Sequence, residues 1–71
     1  MNWYDRTGTI RDENGRTYEI EIARVVFVSG YMIWWDGEVM DDIEPQPSVR
    51  AAWQQVLGPR YGNPSNLERI R

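Results

Sequence analysis

Carboxylates are the side chains of this protein that could most readily take part in a reaction or in binding. Five of them follow a stretch that contains only aromatic and aliphatic residues. Residues 31–35 run directly into these acids without an intervening base. The acids are Asp36, Glu38, Asp41, Asp42 and Glu44. Paired carboxylates such as Asp41 and Asp42 can perform general acid–base catalysis. Acids at turns are more commonly solvated charges, so we interpret these five residues as surface charges that create a negative electrostatic field.

The residue types that are absent exclude most enzymatic chemistry. The chain has no histidine, cysteine or lysine. The usual general base and thiol nucleophile are therefore missing, and no lysine can activate a serine. Residues 36–42 also lack the ligand spacing and mid-loop glycine of an EF-hand. We expect a non-enzymatic protein with no cofactor and no dedicated metal site.

The length predicts a single domain, 1–71, with a small core. A chain of 71 residues without cysteine cannot add a disulfide, and its nine aromatic residues must supply much of the buried area. No apolar run approaches the ~18 residues of a membrane span. We expect a cytoplasmic protein that does not enter a membrane.

Charge is distributed unevenly along the chain. Residues 1–44 carry ten acids and four arginines, a net charge of −6, whereas residues 45–71 carry one acid and four arginines, a net charge of +3. This contrast divides the domain into an acidic β segment and a basic C-terminal segment, and it calls for a partner or an internal contact.

Three glycine-containing turns divide the acidic segment into strands. They are Asn14-Gly15, Ser29-Gly30 and Asp36-Gly37. A three-residue loop over 13–15 is predicted at the first turn, because it sets Ile10 opposite Tyr18 and Thr9 opposite Glu19.

The second hairpin is predicted from a long apolar run. The segment Thr17 to Val28 would span ~40 Å if it were straight, so we expect a bend near Ala23-Arg24. A two-residue turn at Ser29-Gly30 would then place Arg24 across from Trp35, within reach of a cation–π contact. The predicted pairs are Val28 with Tyr31, Phe27 with Met32, Val26 with Ile33, and Val25 with Trp34.

The remaining elements are one short strand, one helix and a terminal turn. After the turn at Asp36-Gly37, the chain is predicted to reverse and form a strand, Glu38 to Met40, beside Trp34. Apolar residues at helical spacing predict a helix over 48–57, which Gly58-Pro59 ends. Pro59 to Pro64 is predicted as a loop, and Ser65 with Glu68 as a capping box for a last turn containing Leu67 and Ile70.

These elements predict a mainly β (β+α) fold: a small twisted antiparallel meander of four or five strands, with one helix packed on it. The predicted core comprises Ile10, Tyr18, Ile20, Ile22, Val26, Ile33, Val39, Trp53 and Val56. One short helix covers one face of a sheet, so the second face needs another cover. Closure into an SH3-like barrel, self-association and a partner are the alternatives.

Binding to a protein partner is our first hypothesis for the function. Trp34 and Trp35 point to opposite faces of one strand, and Trp, Tyr and Arg are enriched at interface hot spots. An acidic rim would favour a basic partner. The predicted contact residues are Trp34, Trp35, Asp36, Glu38, Asp41, Asp42 and Glu44. The alternative, in which C-terminal arginines dock on the acidic sheet, explains the opposed charges without a partner.

In size and charge, the chain resembles phage-encoded inhibitors of host defence, anti-CRISPR proteins among them. This resemblance implies an inhibitor of a basic, nucleic-acid-binding complex in the host cytoplasm, with the carboxylates imitating a row of phosphates.

Two other functions remain open. A β-barrel module could bind nucleic acid or peptide through exposed aromatic rings and Arg50, Arg60, Arg69 and Arg71, although the acidic net charge opposes direct nucleic-acid binding. A structural subunit could instead self-assemble as a homo-oligomer through its oppositely charged halves.

Overall fold

The computed structural model of the protein describes residues 2–58 and 66–71. These residues form five antiparallel strands in one sheet and a single helix. The elements are β1 (Thr7–Arg11), β2 (Thr17–Arg24), β3 (Tyr31–Trp35), β4 (Glu38–Val39), α1 (Val49–Leu57) and β5 (Glu68–Arg69). The predicted β+α class is confirmed. The sheet is open, with β4 and β5 at its two edges in the order β4-β3-β2-β1-β5, so it is not a closed SH3-like barrel.

The hairpin of β1 and β2 has the predicted register. Thr9 pairs with Glu19 and Ile10 pairs with Tyr18. The loop is closed by a hydrogen bond from the Asp12 N–H to the Arg16 carbonyl at 2.9 Å, and the loop itself comprises residues 13–15. Cross-strand matching of apolar residues therefore identified this hairpin correctly.

The predicted register of β2 with β3 is wrong. The last pair is Arg24 with Tyr31, and Ile22 lies opposite Ile33. Residues 25–30 are consequently a six-residue connection, and not two strand ends joined by a tight turn. The observed register is shifted by four residues from the predicted one. Such a shift keeps every side chain on its face, so the alternation of the sequence could not distinguish the two.

The observed register of β2 with β3 leaves the apolar residues 25–28 exposed to solvent. Val26 is 74% exposed and Phe27 is fully exposed, whereas Val26 was predicted as core. Val39, also predicted as core, is 44% exposed because it lies on the two-residue edge strand β4. Arg24 does not reach Trp35; its guanidinium lies over the Tyr31 ring at 5.0 Å.

Helix α1 forms as predicted. Ser48 is its N-cap, and the Ser48 hydroxyl accepts a hydrogen bond from the Ala51 N–H at 3.0 Å. One face of the helix is buried against β2 and β3. The largest fully buried side chains among the described residues come from this face and from the sheet: they are Ile10, Ile20, Ile22, Ile33, Trp53 and Val56.

The C-terminal segment is a strand where a helical turn was predicted. Glu68 and Arg69 pair with Arg11 and Ile10 of β1. A capping box therefore does not form through Glu68, and Ser65 and the predicted loop 59–64 lie outside the described residues.

Candidate protein-binding surface

The two adjacent tryptophans of β3 lie on opposite faces of the sheet, as predicted from strand geometry. Trp35 packs against the core beside Tyr18, with ring centroids 5.2 Å apart. Trp34 lies on the other face, opposite Val39 of β4 and Glu21 of β2. Both indoles are half-buried. Neither is sequestered, so each retains area that a partner could cover.

The face that carries Trp34 has a mixed character. Strand β3 contributes Trp34 and the half-buried Met32, and Val39 flanks them at the β4 edge. The helix contacts the opposite face. Within residues 2–58 and 66–71, no helix or second sheet is stacked on the Trp34 face.

Asp36 shapes the β3–β4 turn. Asp36 and Gly37 both have positive φ, 49° and 84°, as a tight hairpin turn requires. The Asp36 Oδ1 accepts a hydrogen bond from the Glu19 N–H at 2.7 Å, and the Asp36 N–H donates to the Glu19 carbonyl at 2.8 Å. Asp36 therefore joins β2 to the turn, whatever else it contacts.

The other four acids line one edge of the sheet. Glu38 lies on β4 opposite Trp35, and Asp41, Asp42 and Glu44 are exposed in the segment that follows. This segment returns to β3, where the Tyr31 N–H donates to the Gln46 carbonyl at 2.8 Å and the Gln46 N–H donates back at 2.9 Å. The sequence-predicted acids are therefore brought together along β4 and its continuation.

These carboxylates have no internal counterion among the described residues. The ion pairs there join Arg11 to Glu68, Arg69 to Asp5 at 3.9 Å, and Arg71 to Glu19 at 3.9 Å. All three lie on the β1, β2 and β5 side of the domain. Among residues 2–58 and 66–71, no arginine forms an ion pair with the acids of residues 36–44.

A cavity of about 320 Å³ opens at this acidic edge. It is lined by Trp35, Glu38, Val39, Met40 and Asp42. An aromatic ring, an aliphatic wall and two carboxylates therefore meet in one concave site.

The connection of β2 to β3 forms an apolar loop, which we define as Val25–Val28. Phe27 at its tip has φ 70°, a left-handed conformation that is rare for a bulky residue. Val25 and Val28 are 38% and 37% exposed. The loop therefore presents four consecutive apolar side chains to solvent at a cost in backbone strain.

The apolar loop and the acidic edge are neighbours. A Cβ placed on Gly30, which has φ 110°, would lie 2.8 Å from the Gln46 carbonyl oxygen and 3.1 Å from the Pro45 Cβ. The base of the loop thus packs directly on the end of the acidic segment. Sequence reasoning missed the loop as a site, because an unbroken apolar run is also typical of a buried strand.

The three C-terminal arginines that the structure describes do not form one basic surface. The Arg69 side chain is buried, and its guanidinium lies over the Trp53 ring at 4.0 Å. Arg71 reaches the Thr9 hydroxyl at 3.3 Å, and Arg50 is exposed on the helix. Arg60 lies outside the described residues. The structure therefore places Arg69 where it cannot meet a phosphate.

The described residues lack the features of a metal cluster and of a membrane-spanning helix. In the described part of the chain, no three acidic side chains converge as metal ligands, and no helix has the length and apolar character to cross a bilayer. Comparison with known families, curated proteins and solved structures finds no match to this chain.

Proposed function

We propose that this protein is a non-enzymatic binding protein that docks the apolar loop Val25–Val28 and the neighbouring acidic edge on a basic partner. The observation that carries the proposal is the full exposure of Phe27 at the tip of a loop with left-handed backbone. An exposed aromatic in a strained conformation does not stabilise the monomer.

Energetics support a role for this loop outside the monomer. Burying a Phe side chain contributes about 1.5–3 kcal/mol, and this gain is realised for Phe27 only when another molecule covers it. The positive φ costs roughly 1–2 kcal/mol for a residue with a side chain. The same residue can therefore anchor an interface, where aromatic side chains are enriched.

The acidic edge defines the chemistry of the partner. The acidic edge runs from Glu38, opposite Trp35, through Asp41 and Asp42 to Glu44, next to the residues on which the base of the loop packs. Its negative field would accelerate association with a basic surface and orient it. A basic surface of this kind is typical of proteins that bind nucleic acid. We therefore propose that the protein inhibits a nucleic-acid-binding complex by occupying its basic site, as phage-encoded inhibitors do in a host cytoplasm.

Affinity capture with matched variants tests the proposal. Immobilised wild-type protein should retain a basic protein from a lysate, and added double-stranded DNA or raised salt should release it. The double variant Asp41→Asn with Asp42→Asn should lose most of this retention, because it removes two charges from the edge. The control is Glu13→Gln, which removes an exposed charge from the loop 13–15 at the β1–β2 turn.

Three outcomes would contradict the proposal. If wild type and the acidic-edge double variant retain the partner equally, the edge is not part of the interface. If added DNA does not reduce retention, the protein does not mimic nucleic acid. A protein that retains only further copies of itself, with a mass above 8.4 kDa in solution, would favour the self-assembly alternative instead.

A further inference from the structure

We infer that the sheet face opposite α1 is a second contact surface, and that it receives a segment of the partner with an apolar stripe and basic residues beside it. We call this surface the outer face and define it by Glu21, Ala23, Met32, Trp34 and Val39. This inference rests on the proposed function, because it assigns the same basic partner to a surface that adjoins the apolar loop.

The strand register assembles the outer face around Trp34. Glu21 of β2 and Val39 of β4 lie directly opposite Trp34, one on each side of it. Met32 lies two residues before Trp34 on β3 and therefore on the same face, where it pairs with Ala23. Four apolar side chains and one carboxylate are thus neighbours on this face.

The apolar side chains of the outer face retain area that a partner could cover. Ala23, Met32 and Trp34 are half-buried, and Val39 is 44% exposed. Among the described residues, the ring–ring and cation–π contacts involve other aromatic rings and not Trp34. Tryptophan is enriched among the residues that anchor protein interfaces, so we place Trp34 at the centre of the contact.

Glu21 determines the charge of the segment that fits this face. Its side chain is exposed, and no described arginine forms an ion pair with it. Glu19, on the same face of β2, instead accepts a hydrogen bond from the Thr9 hydroxyl at 3.0 Å and pairs with Arg71 at 3.9 Å. A lysine or arginine beside the apolar stripe would pair with Glu21, whereas an acidic residue there would be repelled.

The outer face continues into the apolar loop Val25–Val28. Only the pair of Arg24 with Tyr31 separates Ala23 and Met32 from the connection that carries this loop. Trp34 lies three residues beyond Tyr31, a distance of about 10 Å along the strand. One segment of the partner can therefore contact both the loop and Trp34.

A second copy of the chain fits the outer face less well. The strands β1 and β3 have five residues each, so five strands about 4.8 Å apart give a footprint of roughly 300 Å², whereas each partner of a standard interface buries roughly 800 Å². In addition, β2 is the middle strand of the sheet, so a face-to-face pair would oppose Glu19 and Glu21 of the two copies. A partner that also covers the loop and the acidic edge avoids both difficulties.

An NMR titration with a defined probe tests this inference. The probe is a short helical peptide with leucines on one face and lysines on the other, and the control peptide has glutamate in place of lysine. The readout is the indole N–H resonances of the four tryptophans in the full chain, with that of Trp34 identified by its loss in Trp34→Phe. The lysine peptide should shift the Trp34 resonance most and with saturation, and the glutamate peptide should not shift it.

Two results of the titration would overturn the inference. Equal shifts of all four indole resonances would show that the lysine peptide binds without preference for the outer face. A shift of the Trp34 resonance by a single-stranded oligothymidylate, with none by the lysine peptide, would assign the face to nucleic acid, which stacks its bases on aromatic rings of sheets.

Matched variants localise the contact. Trp34→Thr keeps a residue that favours strands and should weaken binding of the lysine peptide at least about tenfold. Glu21→Gln should weaken it about threefold or more, whereas Glu13→Gln, which removes an exposed charge from the β1–β2 turn, should change it less than about twofold. Equal losses for Glu21→Gln and Glu13→Gln would overturn the inference, because a diffuse negative field would then explain the binding.

Light scattering tests the second copy as the occupant. The mass in solution should stay at the 8.4 kDa of a single chain. A dimer that dissociates in Trp34→Thr would assign the outer face to self-association and would overturn the inference.

Failure of this inference is distinguishable from failure of the proposed function. If the partner is captured through the acidic edge but the lysine peptide leaves the Trp34 resonance unchanged, only the inference about the outer face is wrong. If the peptide shifts the Trp34 resonance but capture is the same for wild type and the acidic-edge double variant, the outer face binds basic segments and the proposed docking through the acidic edge is wrong.

Discussion

At the scale of the single residue, Arg69 is the least expected feature of the structure. Its side chain is buried in β5, and its guanidinium lies 4.0 Å from the Trp53 ring centroid and 5.3 Å from that of Trp3. It donates to the Asn2 carbonyl at 2.7 Å and the Arg71 carbonyl at 3.3 Å. Arg69 thus joins both chain ends to the helix, a role that the small core of a short domain makes important.

The first prediction concerns this contact. Arg69→Ala should lower the free energy of unfolding by about 2–5 kcal/mol, as for other large buried side chains. Arg69→Lys should cost about 2 kcal/mol, because an ammonium loses the planar stacking on both rings. Urea unfolding measures both, and Arg50→Lys on the exposed helix face is the control, with less than about 0.5 kcal/mol expected. A neutral effect of Arg69→Ala would contradict the buried placement.

Asp12 organises the first turn through its carboxylate. Its Oδ1 accepts hydrogen bonds from the Asn14 and Arg16 N–H groups, both at 2.9 Å, and its Oδ2 accepts one from the Tyr18 hydroxyl at 3.1 Å. Desolvation opposes the charged form, yet these hydrogen bonds prevail and lower the pKa of Asp12 below its ordinary value. Desolvation, with the hydrogen bond to Asp12 next, raises the pKa of Tyr18.

The second prediction follows from the sign of the Asp12 shift. Because the pKa of Asp12 is lower in the folded state, its charge stabilises the fold above the unfolded pKa of about 3.9, and this contribution is lost as the pH falls through the folded pKa. Asp12→Asn should therefore melt below wild type at pH 7, and the difference should close below pH ~4. A gap in melting temperature that is constant down to pH ~2 would show that the charge of Asp12 is not involved.

At the scale of the element, the sequence specified some local structure and left other parts open. The β1–β2 register followed from matching Ile10 with Tyr18, and the helix followed from its apolar spacing and the Ser48 cap. The β2–β3 register did not, because a shift of four residues conserves the faces and only packing decides between the alternatives. The observed register brings Ile20 and Ile22 beside β3 and the helix.

Two other elements escaped prediction for related reasons. Strand β5 comprises two residues, so its pairing with β1 is determined by tertiary contacts, and the local sequence pattern does not indicate it. An arginine in sequence reads as a surface residue, so the burial of Arg69 had no signal. The acidic edge was predictable because charges that follow a turn remain exposed, but the cavity beside Trp35 required the position of β4.

The third prediction separates the structural and electrostatic roles of Asp36 in the β3–β4 turn. Asp36→Asn keeps an oxygen acceptor for the Glu19 N–H and tolerates positive φ, so the free energy of unfolding should change by less than about 0.5 kcal/mol. Asp36→Ala loses the acceptor and retains the strain, and it should cost about 1–3 kcal/mol. Equal urea midpoints for the two variants would show that the 2.7 Å hydrogen bond contributes nothing.

At the scale of the whole molecule, the strand order separates β5 from the acidic edge at β4. β4 and β5 are the opposite edges of the sheet with β3, β2 and β1 between them, so Arg69 lies at the edge remote from the acidic residues. Arg71 approaches Glu19 at 3.9 Å, which is the internal contact that the sequence left open as an alternative. That contact pairs with one acid of β2, and no described arginine forms an ion pair with the carboxylates of residues 36–44.

Contrary to the prediction from sequence, the apolar residues 25–28 do not cover a face of the sheet. The predicted hairpin needed a second cover because its apolar residues would have lined both faces of a long strand. In the structure the apolar residues Val25–Val28 leave the sheet altogether and become a loop in solvent. The apolar area that the fold leaves exposed is thus concentrated at Phe27, in a loop whose base packs on the end of the acidic segment. The proposed docking surface combines this loop with the acidic edge.

The fourth prediction, and the most direct test of that surface, is the stability of Phe27→Asn measured by urea unfolding. Asparagine adopts left-handed backbone more readily than phenylalanine, so the free energy of unfolding should be unchanged or higher by up to about 1 kcal/mol, while retention of the partner should fall at least tenfold. A loss of stability of about 3 kcal/mol or more would place Phe27 in the core and contradict the account.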